Sequence, residues 1–222
     1  MIKLICVLAL VCNVLADVPS QEERNTIMEC HTKLREGVTP TASNMQLMTY
    51  SSEMEKLAEE AVAACSPITP NRVSNPQFQG VGFVYSFTNY RKPTYNTLLC
   101  TVHGSAYSYA NDTCNYGCSE YKQMVWATST EVGCASKACP NNRGDSVTAH
   151  VVACVYKPSE SKLKGRPYEE GVSCSKCPEG YGCNRNQCDA KTPPQAKTTS
   201  GASGTSSLTV LLSAVLIAQC LP

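Results

Sequence analysis

An even set of cysteines in the middle of the chain limits its possible folds more than any other feature. The chain has 222 residues and 15 cysteines, of which Cys6, Cys12 and Cys220 lie in apolar segments at the two ends. In a chain that also begins with a secretion signal, an even set indicates disulfide bonds formed in an oxidising compartment, but spacing alone leaves the pairing open. The even set comprises Cys30, Cys65, Cys100, Cys114, Cys118, Cys134, Cys139, Cys154, Cys174, Cys177, Cys183 and Cys188.

Residues 1–16 have the composition of a signal peptide. Lys3 supplies the positive charge, residues 4–10 form a short apolar core, and Val14-Leu15-Ala16 is a small-residue cleavage site. We therefore expect the mature chain to begin at Asp17 and to be exported. A transmembrane anchor is the alternative, but an apolar run of this length is too short to span a bilayer.

The C-terminal end combines a polar linker with an apolar tail. Residues 189–207 are rich in Pro, Ser, Thr, Gly and Lys and cannot bury a core, which predicts a disordered linker. Residues 208–222 are apolar, shorter than the ~20 residues of a spanning helix, and lack basic residues after them. Small residues at 200–203 before this tail indicate a GPI-attachment signal, with Ser200 as the predicted attachment site. A single-pass tail and a retained tail are the alternatives.

Length and charge narrow the class of protein further. The length allows one sizeable domain with appendages. The formal net charge is +1, which gives no sign of a nucleic-acid partner or of strong electrostatic steering. Asn111-Asp-Thr113 is an N-glycosylation acceptor, and in an exported chain we expect it to lie on the surface.

Hydrophobic periodicity predicts three helices in the first half of the chain. Residues 20–23 (Ser-Gln-Glu-Glu) have the form of a capping box, after which apolar residues recur at helical spacing over residues 27–34. Residues 52–55 (Ser-Glu-Met-Glu) have a similar form and begin a second amphipathic helix. A third helix is predicted over residues 94–109. His31 lies on an apolar stripe, and we interpret it as a hydrogen-bonded structural histidine.

Three β-prone segments alternate with these helices or follow them. Residues 80–87 are short and aromatic, whereas residues 131–137 and 147–156 are predicted to form a hairpin. Asn141-Asn-Arg-Gly144 has the composition of the connecting turn. The single tryptophan, Trp126, stands beside apolar neighbours, and its large apolar ring predicts a core anchor.

The last four cysteines of the even set form a module of their own. They fall within residues 174–188, where almost no aliphatic residue could build a core, so two disulfides are expected to hold a small appendage together. Cys174-Ser-Lys-Cys177 also has the spacing of zinc ligands. Zinc ligation is the less favoured interpretation, because secreted chains oxidise such pairs.

Several stretches in combination resemble a known family. Residues 121–126 (Tyr-Lys-Gln-Met-Val-Trp) with residues 132–134 (Val-Gly-Cys) resemble the first signature of the CAP superfamily, which includes cysteine-rich secretory, antigen 5 and pathogenesis-related proteins. Residues 150–158 (His-Val-Val-Ala-Cys-Val-Tyr-Lys-Pro) resemble the second signature. The chain looks most similar to secreted venom allergen-like proteins of parasitic helminths. The segments at residues 31–35, 42–45 and 63–65 resemble the first two helices of the family, and the cysteine module at residues 174–188 resembles its hinge-type extension.

The resemblance extends over about residues 20–188 and implies an α+β fold: a three-layer α-β-α sandwich with disulfide staples and a disulfide-rich C-terminal extension. It also implies an order of segments along the chain. We expect a signal peptide at residues 1–16, a CAP domain at 17–157, a cysteine-rich hinge-type extension at 158–188, the linker at 189–207 and the GPI-attachment signal at 208–222.

Many members of this family carry two histidines and two glutamates in a cleft that can bind a divalent metal. This chain has no histidine in residues 66–80, where the first is expected, and Val81 stands at the position of the first glutamate. His103 takes the place of the second glutamate, and Glu120 takes that of the second histidine. Two ligands are too few for zinc, which needs three or four, so we predict no tight metal site and no cofactor. We expect His103 and Glu120 to hydrogen-bond to each other in the cleft.

The histidines also argue against catalysis. Hydrolysis needs an activated nucleophile with a base that a third group orients. None of His31, His103 and His150 has an Asp or Ser beside it in a recognisable motif. We therefore predict a protein that is not an enzyme, with a metal-dependent hydrolase as the least favoured alternative.

Phe83, Tyr85 and Tyr90 form an aromatic-x-aromatic-x4-aromatic pattern. In sterol-binding members of the family a caveolin-binding-like loop stands at this position, so the resemblance implies that the chain binds sterol or another lipid. Exposed rings in a loop would offer apolar surface to a flat sterol, whereas the alternative places these rings inside the sandwich. The predicted partners are a lipid and, through GPI, the outer membrane leaflet. The rival function is a surface antigen or immunomodulatory module that binds a host protein.

Overall fold

A four-stranded sheet forms the middle of the molecule. The computed structural model describes residues 16–89, 91–140, 148–160 and 163–194. The helices in this part of the chain are α1 (Gln21–Glu36), α2 (Ser52–Ala63), α3 (Tyr95–Leu99) and α4 (Ser119–Met124). The strands are β1 (Thr49–Tyr50), β2 (Gly82–Thr88), β3 (Tyr107–Ser108), β4 (Thr113–Cys114), β5 (Glu131–Cys139), β6 (Ala149–Lys157), β7 (Gly182–Asn184) and β8 (Gln187–Asp189).

The central sheet has the strand order β1-β5-β6-β2 and is covered by helices on both faces. Strand β1 is parallel to β5, and the other neighbours are antiparallel. Helix α2 packs against β5 and β6 on one face, whereas α1, α3 and α4 form the layer on the other. The predicted three-layer α-β-α sandwich is therefore confirmed.

Strand β6 shows why the sheet needs both layers. Val151, Ala153 and Val155 pack in the core on the α2 side, and the alternate residues pack in the core on the α1 side. Side chains of a strand point alternately to opposite faces, so a strand that is apolar at every position is stable only between two layers. This confirms the predicted hairpin of β5 and β6. Its predicted turn at residues 141–144 lies outside the described residues.

The helix boundaries confirm one prediction and correct two. Ser20 caps α1 through a complete capping box with Glu23. Helix α2 is capped by Ser51 rather than by the predicted Ser52 box, because the carboxylate of Glu55 is bound to other side chains instead. Helix α3 ends at Leu99 and does not continue to residue 109. The next residue, Cys100, is bonded to Cys30 of α1, and the chain then turns into a short hairpin of β3 and β4.

All cysteines of the even set are paired, which confirms the disulfide framework. One bond joins α1 to the end of α3, one joins the end of α2 to β5, and one crosses between β5 and β6. These cross-links limit the unfolded chain and so stabilise the fold. The six bonds are Cys30–Cys100, Cys65–Cys139, Cys114–Cys118, Cys134–Cys154, Cys174–Cys183 and Cys177–Cys188.

The C-terminal cysteine module is packed against the sandwich, so the expected appendage is integrated into the fold. Its hairpin of β7 and β8 has Arg185 and Asn186 at its turn, both with positive φ as a two-residue hairpin requires. Arg185 forms ion pairs with Glu29 and Glu36 of α1. The module also pairs with the chain before β1, where Leu47 donates its backbone N–H to the carbonyl of Cys188.

None of the helices in the part of the chain that the structure describes is long and apolar enough to cross a bilayer.

Candidate functional site

A cavity of about 520 Å³ lies where β2 and α4 begin, and we call it the β2–α4 pocket. It is bounded by the first residues of these two elements, the loop before β2, the Cys114–Cys118 loop and the chain after β6. The lining residues are Thr69, Arg72, Gly82, Phe83, Cys114, Gly117, Cys118, Ser119, Lys122, Gln123, Glu160 and Leu163.

Gly82 lets the floor of this pocket form. A Cβ atom at this position would lie 1.8 Å from Oε1 of Gln123 and 2.5 Å from Oγ of Ser159. Neither distance is possible for a real side chain, so any larger residue at this position would displace the side chains of Gln123 and Ser159. Gly82, which follows the Val81 found where a glutamate was expected, therefore has a structural role here.

The floor itself is a buried polar cluster. Ser159 donates to Oε1 of Gln123 at 2.9 Å, and Ser129 donates to the carbonyl of Pro158 at 2.7 Å. Gln123 is only 3% exposed, and its amide approaches Ser129 at the limiting distance of 3.5 Å. This bond is weak for its length, so the Gln123 amide keeps donor capacity in a buried place.

A nearly buried cation lies beside this floor. Lys122 donates to Asp112 at 3.0 Å and to the carbonyl of Gly165 at 2.7 Å, and its ammonium lies 5.3 Å from the centre of the Tyr107 ring. An ammonium group has three donors, and these contacts use two of them. Asp112 in turn has a lowered pKa, because it accepts hydrogen bonds from Tyr107 and Lys122 despite partial burial.

The opposite wall is aromatic. Phe83 packs against Phe78 with ring centres 5.6 Å apart, and the guanidinium of Arg72 lies 5.5 Å from the Phe83 ring centre. Arg72 is held in place because it donates to the carbonyls of Phe78 and Val81. The wall thus offers a half-buried apolar ring next to a fixed positive charge.

Phe83 and Tyr85, two of the predicted aromatic residues, do not lie in an exposed loop. Phe83 and Tyr85 lie within strand β2, on the face that packs against the α2-side core, and both are half-buried. Tyr85 donates its hydroxyl to the carbonyl of Ser66 at 2.7 Å, and burial raises its pKa to about 12. The loop is a strand because its backbone pairs with β6. Tyr90 lies outside the described residues. Of the two that the structure describes, Phe83 lines the pocket and Tyr85 does not.

His103 and Glu120 do not hydrogen-bond to each other as expected. His103 is exposed, and its Nδ1 lies 2.7 Å from Oγ of Ser105. Glu120 accepts a hydrogen bond from its neighbour Ser119. Each side chain is hydrogen-bonded to a residue close to it in sequence. His103 and Glu120 therefore do not act as a pair. Ser105 thus lies beside His103 in an exposed turn, but in the described part of the chain no third group binds the other nitrogen of this ring.

His31 is the structural histidine that the sequence predicts. It is fully buried, with Nδ1 2.7 Å from the carbonyl of Ile27 and Nε2 2.9 Å from the hydroxyl of Tyr156. The carbonyl requires a donor at Nδ1, so Nε2 accepts from Tyr156. Burial lowers the pKa of His31 to about 4, and the ring is neutral at physiological pH.

Arg35 of α1 is a buried residue that sequence reasoning missed. It is 1% exposed, and its guanidinium donates to Gln187 and to the backbone carbonyls of Gln46, Met124, Trp126, Ala127 and Ser129. Burial lowers its pKa, yet Nη1 and Nη2 each donate to at least two carbonyls, which requires the charged form with two hydrogens on each of these nitrogens. Trp126 is held through its backbone carbonyl, which accepts from Arg35. Its side chain is only half-buried, so the prediction that Trp126 is a core anchor is wrong.

Three of the module's cysteines lie close enough together to suggest a metal site. The sulfurs of Cys174, Cys177 and Cys188 lie within 4.8 Å of one another. All three are bonded in disulfides, and a disulfide sulfur is not the thiolate that zinc binds. The zinc interpretation of the Cys174–Cys177 spacing is therefore wrong.

Lys122 and Gln123, which line the pocket, belong to residues 121–126 of the first signature. Their sequence pattern indicates a short helix, but it does not indicate that they line a pocket. The predicted glycan site, Asn111, is exposed between β3 and β4, and Ser200 lies outside the described residues. Glycosylation and attachment at these residues stay predictions.

Comparison with known proteins agrees with this architecture. The sequence model of the CAP family, described as the cysteine-rich secretory protein family, matches residues 28–156. Peptidase inhibitor 15-A of Danio rerio is 35% identical over 190 residues, covering 76% of this chain and 70% of the relative. Cysteine-rich secretory protein LCCL domain-containing 1 of Mus musculus is 33% identical over 185 residues, covering 76% of this chain but 37% of the relative.

Solved structures show the same fold at lower identity. A crystal structure of NaASP2 with Zn²⁺ matches with a TM-score of 0.59 and 23% identity, covering 80% of this chain and 98% of that one. Venom allergen-like protein 4 of Schistosoma mansoni matches with a TM-score of 0.55 and 22% identity, covering 68% of this chain and 97% of that one. The sandwich, the disulfides and the sequence match agree: the chain belongs to the CAP, or cysteine-rich secretory protein, family.

Proposed function

We propose that this chain binds a sterol or a related lipid in the β2–α4 pocket without changing it chemically. The observation that carries the proposal is an apolar wall and a buried polar floor within one cavity. Ligand pockets typically have volumes of roughly 300 to 1,000 Å³, with mostly apolar walls and a few fixed polar groups. The β2–α4 pocket, at about 520 Å³, has these properties.

The proposed orientation follows from the chemistry of the two sides. The flat apolar rings lie against Phe83, and Leu163 contributes further apolar surface. The single hydroxyl points to the floor, where the Gln123 amide and the Lys122 ammonium have donor capacity. A buried donor without a good partner costs free energy, so a ligand oxygen placed there is favoured over a purely apolar ligand.

A non-enzymatic role is part of this proposal. The relatives are named as peptidase inhibitors and secretory proteins. Among the described residues, His31 is buried against Tyr156 and His103 is bound to Ser105 at the surface. Neither lines the β2–α4 pocket. The lining hydroxyl of Ser119 donates to the carboxylate of Glu120, but among the described residues no third group orients this pair, as nucleophilic catalysis requires.

Cholesterol binding by two matched variants tests the proposal. Phe83 and Phe87 lie on the same face of β2 and are both half-buried, but Phe83 alone of the two lines the pocket. We expect Phe83→Ala to weaken equilibrium binding of radiolabelled cholesterol about tenfold through the loss of ring contact, and Phe87→Ala to leave it unchanged. Equal weakening by both variants would reject the pocket.

A protein-directed function is the second candidate, because several relatives are named as inhibitors. In that case the chain is a surface antigen or immunomodulatory module that binds a host protein through its loops and its cysteine module. Absence of saturable cholesterol binding by the unaltered chain, together with capture of a protein ligand that survives Phe83→Ala, would favour this candidate.

We also propose that the mature chain is exported and tethered to the outer leaflet through GPI. The disulfides support an oxidising compartment, and the apolar residues 208–222 after a polar linker support the attachment signal. Treatment of expressing cells with a phosphatidylinositol-specific phospholipase is expected to release the protein. Retention on the cells, with residues 208–222 still found by mass spectrometry, would contradict the tether.

A further inference from the structure

The mouth of the β2–α4 pocket is bordered by apolar side chains that point into solvent. Ile68 is 73% exposed and Val73 is 90% exposed. They are neighbours in sequence of Thr69 and Arg72, which line the pocket. Transfer of such side chains from water to an apolar phase is favourable, so this loop offers apolar surface next to the lining of the pocket.

A third exposed apolar side chain lies on the other loop of the pocket. Tyr116 is 75% exposed, within the loop that the Cys114–Cys118 disulfide closes. Cys114 and Gly117, which lie on either side of Tyr116 in this loop, both line the pocket. We call Ile68, Val73 and Tyr116 the apolar rim. The described part of the chain has two other large apolar side chains of high exposure, Val18 and Val172, and neither adjoins a lining residue.

The charges around the apolar rim select the kind of surface that it fits. Residues 66–79 contain no Asp or Glu, and residues 113–118 contain none either. Asp112, just before the second loop, is paired with Lys122. The one charged side chain of the first loop is the cationic Arg72. The phosphate groups of a phospholipid surface therefore meet one cation and no unpaired carboxylate on these loops.

The form of the apolar rim also distinguishes a bilayer from a protein partner. A protein interface has a contiguous, well-packed apolar centre, whereas these side chains project singly from two loops across the mouth of a cavity. Single apolar and aromatic side chains that enter the headgroup region suit a membrane interface. We propose that the apolar rim inserts into a phosphatidylcholine bilayer and places the mouth of the pocket against the lipid that it takes up. This inference rests on the proposed lipid-binding function.

Two variants of the full chain test the apolar rim. The rim variant carries Ile68→Ser, Val73→Ser and Tyr116→Ser, and the control variant carries Val18→Ser and Val172→Ser at the other exposed apolar positions. Sterol-free phosphatidylcholine vesicles are the probe, with flotation as the assay. We expect the rim variant to lose about tenfold or more in vesicle affinity because its apolar contact area is removed, and the control variant to match the unaltered chain.

Hydrogen exchange of the vesicle-bound full chain provides a second readout, because other segments can also contact lipid. Amides of residues 66–76 and 114–118 are expected to exchange more slowly on vesicles. Unchanged exchange in both loops, or equal vesicle affinity of the two variants, would overturn the proposal.

Cholesterol delivered from cyclodextrin without vesicles separates this inference from the proposed function. The rim variant is expected to bind such cholesterol as well as the unaltered chain. Rim-dependent vesicle binding by a chain that binds no cholesterol would reject lipid uptake by the pocket, while the membrane contact itself would stand.

Discussion

Buried polar side chains occur on two sides of helix α4, and the two sets differ in what surrounds them. On the α1 side, Arg35 and His31 are fully enclosed, and every nitrogen that they present has a partner. On the other side, Gln123 and Lys122 border the β2–α4 pocket with donor capacity left over. The first set is closed by the protein itself, whereas the second faces open space.

The same short segment of chain serves both sets. Arg35 binds the carbonyls of Met124 and Trp126, immediately after the two residues that line the pocket. Holding the backbone from one side fixes the position of the lining side chains on the other. We therefore interpret the α1 side as the support and the pocket as the site, and expect substitutions on the two sides to affect different measurements.

Replacing Arg35 is expected to have the largest effect. Arg35→Met removes the guanidinium donor from five backbone carbonyls, of which those of Trp126 and Ala127 keep a backbone N–H donor. Breaking such a buried charged network costs about 3–5 kcal/mol. Urea unfolding of the purified protein, or the secreted yield if the variant does not fold, measures this loss. Arg35→Lys keeps the charge with fewer donors and should lose less. A loss below ~1 kcal/mol in Arg35→Met would show that the network is not the support.

The next effect is a pH dependence that comes from His31. Its pKa is about 4 in the folded chain against 6.5 for the ordinary group, so the unfolded state binds the extra proton. The stability that this difference contributes is complete above pH 6.5 and is lost as the pH falls from 6.5 to about 4, by about 3–4 kcal/mol at about 1.4 kcal/mol per pKa unit.

His31→Gln provides the matched comparison for this pH dependence. The variant is less stable at neutral pH but cannot take up the proton, so its unfolding free energy should change less over the same window. Urea titrations at a series of pH values give the unfolding free energy of each protein as a function of pH. An equal change in both proteins would contradict the assignment to His31.

The smallest effect is expected at the contact between the cysteine module and α1. Arg185 binds Glu29 and Glu36 at an exposed surface and lowers the pKa of both carboxyl groups. Surface ion pairs contribute little to global stability, so Arg185→Gln should leave the unfolding midpoint almost unchanged. Faster amide exchange confined to β7 and β8 is the expected result, with Lys33→Gln as the control. A loss of global stability comparable to that of Arg35→Met would show that this surface contact supports the fold as much as Arg35 does.

Elements set by local signals could be predicted from the sequence. The capping box at Ser20 and the continuous apolar run of β6 locate α1 and the hairpin, because each depends on neighbouring residues. Helix α3 was predicted too long, since its end depends on a disulfide to Cys30. The predicted cap of α2 is one residue too late, because Glu55 binds Arg24, which is distant in sequence, and Tyr50, which lies outside the helix.

The candidate site was harder to predict than the fold. Phe83 was identified through the family resemblance, but its position in a strand depends on pairing with β6. The polar floor joins Gln123, Ser129 and Ser159 from three separate segments, and no periodicity or motif links them. Arg35 lies on a polar-looking stretch of α1, so its burial follows only from the carbonyls that converge on it in three dimensions.

Photoaffinity labelling with a cholesterol analogue tests the central claim most directly. The full chain is irradiated with the analogue, with and without excess unlabelled cholesterol, and the labelled residues are identified by mass spectrometry. We expect labelling at Phe83 or Leu163, or at the floor beside Gln123, and we expect excess cholesterol to suppress it. Two results would contradict the claim that the β2–α4 pocket binds lipid. One is labelling that cholesterol suppresses only on the α1 side of the sheet, and the other is labelling that excess cholesterol does not reduce anywhere.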